Sequence, residues 1–270
     1  MTASLGVITI NVDPSFQIGP LILAWHGLMI AVGIIAGAWL AMRFAHEQGL
    51  QRDELLNLVA LLILGGIVGS RLLYLLFDQP GDLLAPGEWL GTQGFAFYGA
   101  LILGPLAVGA YLWRGRLSLR YLHALAAGFP LGMAVGRIGD LISGEHYGPP
   151  STLPWAIHYP DPGAEVPNHA LAYHSGGLYE IVLALLMLAV LWPLRHRFRW
   201  ATALFWATVA FYSAGRFLMF FWRSDTTDLG FGLNLAQLTS VALLAVALAG
   251  LALARRAHSL GQPPAAEAPS

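Results

Sequence analysis

The sequence predicts an all-α integral membrane protein, a bundle of about seven transmembrane helices with the N-terminus outside and the C-terminus cytoplasmic. Three observations carry this. Hydrophobic residues make up 57% of the chain and charged residues 11%, whereas a soluble domain carries about 25% charged residues. Apolar runs long enough to cross a bilayer recur along the sequence. The arginines gather in alternate connections between those runs.

The runs fall at about 21–43, 55–77, 95–113, 121–142, 177–194, 201–222 and 233–254. The first, "LILAWHGLMIAVG", places Trp25 and His26 in its opening quarter. The second ends in "GSRLLYLLF", with Arg71 and Tyr74 three residues apart on one face. The third opens "GFAFYGALILG" and puts Tyr98 in its first quarter. The fourth ends in "GRIGDLISGEHYG", which carries Arg137, Asp140, Ser143, Glu145, His146 and Gly148. The fifth follows a long connection, 143–176, and opens "HSGGLYE", with His174, Tyr179 and Glu180. The sixth sets Tyr212, Arg216 and Arg223 on roughly one face, and the seventh ends at Arg255 and Arg256. Interior glycines and prolines, such as Gly33, Gly37, Pro105 and Pro130, suit membrane helices better than soluble ones. Residues 1–258 therefore read as a single polytopic membrane domain, and the Pro/Ala-rich 259–270 as a disordered tail.

Orientation follows from charge. All 14 basic residues are arginine. Ten of them lie in 43–54, 113–120, 195–199 and the end of the last run, whereas 1–20, 78–94 and 143–176 hold none. The Arg-rich side is cytoplasmic by the positive-inside rule, and an odd number of spans agrees with that.

Several function classes drop out. A net charge of −1 gives no reason to expect nucleic acid as a partner. With no cysteine, the chain has no thiol nucleophile or thiolate ligand of its own. "MTASLGVITINVDP" lacks the basic start of a signal peptide. His146, His158, His169 and His174 share one connection, but none has the spacing of a zinc motif, so no metal and no cofactor is expected.

Arg71, Arg137 and Arg216 break the charge pattern, because each lies inside a run, about 8–9 Å below the outer surface at 1.5 Å per residue. An arginine in hydrocarbon costs about 2.5–3.5 kcal/mol on insertion scales, so it normally faces protein, water or ligand. A single one could snorkel. Three at one depth, with Arg223 just beyond, suggest a site for the phosphate of an anionic lipid, which guanidinium recognises bidentately. His26 at the same level is a candidate base, and Glu180, just inside the fifth run, needs an arginine partner.

Taken together, "WHGLMIAVG" (25–33), "GSRLLYLLF" (69–77), "GFAFYGALIL" (94–103), "GRIGDLISGEHYG" (136–148), "HSGGLYE" (174–180), "GRFLMFFWR" (215–223) and "LNLAQLTS" (233–240) resemble, in order, the phosphatidylglycerol–prolipoprotein diacylglyceryl transferase family. The resemblance implies a transferase of the bacterial inner membrane with its site toward the outer leaflet. Such enzymes move the diacylglyceryl group of phosphatidylglycerol to the lipobox cysteine thiol in the signal peptide of a prolipoprotein, releasing glycerol phosphate. The partners implied are therefore that lipid and those signal peptides. The nucleophile belongs to the substrate.

The resemblance also assigns roles. Arg137 and Arg216 are expected to clamp the phosphate, with Arg71 and Arg223 adding field. Tyr74, Asp140, Ser143, Gly148, His174, Tyr179 and Glu180 are expected to line or support the substrate site, and Glu145 to support Arg137. The departures are equally specific. Asp140 and Ser143 stand where the family has asparagine, Phe220 where it has glutamate, and "HSGGLYE" lacks its proline and glutamine. Tyr98 stands in place of its catalytic histidine and His26 in place of its tyrosine, which reads as an exchange. His26 is the first candidate for the base and Tyr98 the second. Two other readings stay open: a related lipid-group transferase with another acceptor, and a non-catalytic lipid-binding protein.

Overall fold

The computed structural model describes residues 7–85, 87–90, 96–198, 200, 202–224, 226 and 232–260. Seven long helices dominate: α1 Trp25–Glu47, α2 Arg52–Phe77, α3 Phe97–Arg114, α4 Arg120–Ser143, α5 Gly176–Leu194, α6 Ala203–Met219 and α7 Leu235–Leu260. Among the described residues, six helices are long and apolar enough to cross a membrane, all but the 18-residue α3. Their apolar side chains stay exposed in quantity, with Ile35 at 68% and Leu64 at 59%, as lipid-facing surface requires.

Six short strands depart from the all-helical expectation: β1 Ile8–Thr9, β2 Ser15–Ile18, β3 Leu21–Ala24, β4 Tyr147–Pro150, β5 Ile157–His158 and β6 Ala172–Ser175. The apolar run expected to begin the first span at 21 starts instead as β3, paired antiparallel with β2, and the helix begins at Trp25. The last helix runs to Leu260, past the expected domain end at 258; the rest of the expected tail, 261–270, lies outside the described residues.

The chain divides into two compact units, Met42–Ala124 and the remainder. Within the first of these, α2 and α3 run antiparallel with their backbones close: a Cβ on Gly69 or Gly99 would strike the other helix's backbone. Small residues at such crossings are how membrane helices pack without a hydrophobic effect between them. Tyr111 ties their other ends, donating to Glu54 Oε2 at 2.7 Å and accepting from Asn57 Nδ2 at 3.0 Å.

In the other unit α1 and α4 cross antiparallel through Gly33, Gly37, Gly128 and Gly132, with α5 on α6 through Leu183 and Gly215 and α6 on α7 through Trp206 and Gly250. α7 starts on a reciprocal cap: Gln237 N–H donates to Asn234 Oδ1 at 2.8 Å, and Asn234 N–H to Gln237 Oε1 at 3.0 Å. The long connection between α4 and α5 is a folded cap. Its strands β4, β5 and β6 join β1 of the N-terminal segment in a four-stranded sheet of order β1-β5-β6-β4, around buried Ile157, Tyr159, Ala164, Val166 and Tyr173. Tyr159 donates to Leu141 O at 3.0 Å, fastening the sheet to the end of α4, and its burial pushes the phenol up to about 12.

Candidate active site

The start of α1, the end of α4, the start of α5 and the end of α6 meet at one end of the larger unit, and two glycines allow it. A Cβ on Gly139 would lie 2.6 Å from His26 Cα, and one on Gly177 would lie 2.8 Å from Leu141 N. Without side chains there, α1 and α5 both reach the last turn of α4.

His26 Nδ1 lies 2.6 Å from Asp140 Oδ1 and 2.8 Å from Glu145 Oε2. Two carboxylates on one ring nitrogen require that nitrogen to carry a proton, so in the neutral ring the lone pair is on Nε2. Asp140 is 1% exposed, and its other oxygen, Oδ2, takes the guanidinium of Arg137, three residues before it on α4. Glu180 is fully buried. It takes Arg137 Nε on Oε2, and on Oε1 Arg216 Nη1 at 3.3 Å and Arg223 Nη1 at 3.8 Å. Three guanidiniums thus stand against the buried carboxylates of Asp140 and Glu180, with the Glu145 carboxylate beside them on His26.

Further groups shape the arginines. Phe220 lies under both Arg216 and Arg223, at 4.5 and 4.6 Å from the ring centroid, so cation–π contact occupies the place of a carboxylate. Tyr212 accepts from Arg216 Nη1 at 3.0 Å. Arg223 Nη2 donates to His146 Nδ1 at 2.8 Å. Because a guanidinium can only donate, His146 accepts there and is neutral. His146 and Gly144 hold φ of 62° and 77°, a left-handed turn that swings Glu145 back toward α1. Ser143 Oγ braces that turn, accepting from Glu145 N–H at 3.3 Å.

The expected residues divide as follows. His26, Arg137, Asp140, Ser143, Glu145, Glu180, Arg216 and Arg223 gather at this one end. Glu145 corrects its expected role: it faces His26, and Arg137 is held by Asp140 and Glu180 instead. Gly148 is a packing point, where a Cβ would strike Trp222 O. His174 Nδ1 accepts from Tyr179 OH at 2.5 Å, and Tyr179 accepts from Trp155 Nε1 at 3.2 Å; burial holds the His174 pKa below its usual value. Arg71, Tyr74 and Tyr98 belong to the other unit. There Arg71 Nε donates to Glu88 O at 2.6 Å and its guanidinium lies 5.2 Å from the Tyr74 ring, while Tyr98 sits in the first turn of α3. Sequence reasoning gave no role to His146, Phe220 or Glu88. His146, inside the motif 136–148, and Phe220, as a departure from a motif, left a signal; Glu88 left none.

Ligand-capable atoms of His26, Asp140 and Glu145 fall within 4.8 Å of one another, a spread that a metal ion could bridge. The donor chemistry favours protons instead. Nδ1–H already faces both carboxylates, and Arg137 already neutralises Asp140.

The fold and site define a polytopic membrane enzyme built on a guanidinium–carboxylate–imidazole cluster. The chain belongs to the prolipoprotein diacylglyceryl transferase family, whose sequence model matches residues 14–253. It is 36% identical over 234 residues to the phosphatidylglycerol–prolipoprotein diacylglyceryl transferase of Geobacter sulfurreducens, covering 82% of this chain and 85% of that one. The Methylibium petroleiphilum protein of the same name is 35% identical over 256 residues, covering 88% of this chain and 94% of its own. The one from Bordetella bronchiseptica is 34% identical over 254 residues, with 90% and 95% covered.

Proposed function

We propose that this protein transfers the diacylglyceryl group of phosphatidylglycerol to the lipobox cysteine of prolipoprotein signal peptides. It does so from seven spans of the bacterial inner membrane, N-terminus outside, with the site in the outer leaflet. The observation that carries the reading is the buried cluster in which Arg137, Arg216 and Arg223 share Glu180, beside an imidazole whose Nδ1 is fixed by two carboxylates.

Arg137 and Arg216 hold the lipid phosphate, and Arg223 adds positive field. The cysteine sulfur attacks the glycerol methylene that carries the phosphate. The new C–S bond forms as the C–O bond breaks, and the electron pair leaves with the phosphate oxygen as glycerol phosphate. Negative charge grows on that oxygen, so fixed cations stabilise the transition state more than the ground state. The thiol proton passes to His26 Nε2, because the thiolate is the reactive form. The carboxylate of Asp140 does not repel the phosphate, since its charge is taken up by Arg137.

The test is complementation of a strain depleted of its own transferase, with mass spectrometry of a model lipoprotein. A gain of one diacylglyceryl group on the lipobox cysteine supports the reading. Growth without that mass, or no growth from protein present in the membrane, overturns it.

A further inference from the structure

His146 has no part in the proposed chemistry, yet its backbone sets it apart. Its φ is 62°, in the left-handed region that few side chains other than glycine adopt. Two backbone hydrogen bonds fix it there. His146 O accepts from Gly176 N–H at 2.9 Å, at the start of α5. Tyr147 O accepts from Ser224 N–H at 3.2 Å, so the residue after His146 is tied to the residue after Arg223. Gly176 makes room for both, since a Cβ there would strike His146 O and lie 3.0 Å from Arg223 Cδ.

The side chains meet on this frame. Arg223 Nη2 donates to His146 Nδ1 at 2.8 Å, so the ring hydrogen sits on Nε2. Nε2 lies 4.0 Å from Asp140 Oδ2, too far for a hydrogen bond but attractive in sign. Asp140 Oδ1 in turn faces His26. The His146 imidazole therefore stands between a guanidinium of the proposed clamp and the carboxylate behind the proposed base.

We infer that His146 is a positioning residue for Arg223: its neutral imidazole accepts from the guanidinium and holds it in place before phosphatidylglycerol binds. The inference rests on Arg223 acting at the lipid phosphate. A long arginine side chain loses rotamer freedom when it is fixed, and fixing it in advance removes that loss from the reaction step. A carboxylate in the same position would fix Arg223 but cancel its charge. A neutral imidazole accepts the hydrogen bond and leaves the positive field intact.

The experiment is a double-mutant cycle on the purified full chain: wild type, H146G, H146A, H146N, R223Q and H146G/R223Q. Each is measured for kcat and KM with phosphatidylglycerol and a lipobox peptide. Glycine suits the backbone and removes the imidazole, and alanine removes it while keeping the strain. Asparagine tolerates a left-handed φ and keeps an acceptor close to the Cα. The expected result is that H146G and H146A each lose about tenfold in kcat with little change in KM, and that H146N recovers most of it. In the R223Q background H146G should cost little more, because the two residues act as one unit. A full-rate H146G, an H146N as slow as H146A, or an H146G loss undiminished in the R223Q background overturns the assignment. So does a full-rate R223Q. A wild type that leaves the peptide unmodified overturns the proposed function itself, whereas an active wild type beside a full-rate H146G overturns only the role of His146.

Discussion

At the scale of single residues, Glu180 organises the site more than any arginine does. It is fully buried and meets Arg137, Arg216 and Arg223 at once. Removing one partner of a buried ion pair costs about 3–5 kcal/mol, because the remaining charges keep their desolvation cost. Glu180→Gln should therefore lower the thermal midpoint in detergent and abolish transfer, whereas Arg223→Gln, which removes the longest of the three contacts, should do less of both. Burial of a different kind makes the sheet between α4 and α5 pH-sensitive. His174 has a folded pKa below its unfolded value of 6.5, so the unfolded chain binds the proton more readily below that value. Stability is complete above about 6.5 and falls as the pH drops toward the folded pKa. Thermal melts across that range should show the slope, and His174→Gln should flatten it. Sequence reasoning identified Glu180 as needing an arginine, because the cost of a charge inside an apolar run is a local fact. It misplaced Glu145, because two left-handed residues, Gly144 and His146, redirect the chain there in a way that helical spacing does not foresee.

At the scale of elements, the glycines set the geometry that the charged side chains then use. His26 reaches Asp140 because nothing projects from Gly139. Gly139→Ala places a Cβ within 2.6 Å of the His26 Cα, so α1 must move off α4. A displacement of about 1 Å at a catalytic group can cost about a hundredfold in rate. We expect at least a tenfold loss of kcat with the protein still folded, checked by turnover and by the thermal midpoint of the same preparation. Length and apolarity located all seven long helices to within about four residues, except the end of α7, which runs six residues past the expected 254. They did not reveal the strands. β1, β5 and β6 are only two to four residues long, too short for alternation to register. β3 is an apolar stretch that periodicity alone could not separate from the helix it precedes.

At the scale of the whole molecule, the exposed apolar surface of the helices demands a bilayer, and the arginine-bearing connections argue for one orientation. The absence of cysteine makes that orientation easy to test. A single cysteine at Ser15 should react with an impermeant maleimide added to spheroplasts, and one at Ala257 only after permeabilisation; the reverse pattern would invert the proposed topology. The proposed chemistry has its most direct test in purified protein, reconstituted with phosphatidylglycerol labelled in the diacylglyceryl part and given a lipobox peptide. Transfer by wild type should add one labelled diacylglyceryl group to the cysteine and release one glycerol phosphate, and Arg137→Gln and His26→Gln should each lose about a hundredfold or more. A wild-type enzyme that leaves the thiol unmodified, or a His26→Gln enzyme that modifies it at the full rate, would contradict the mechanism.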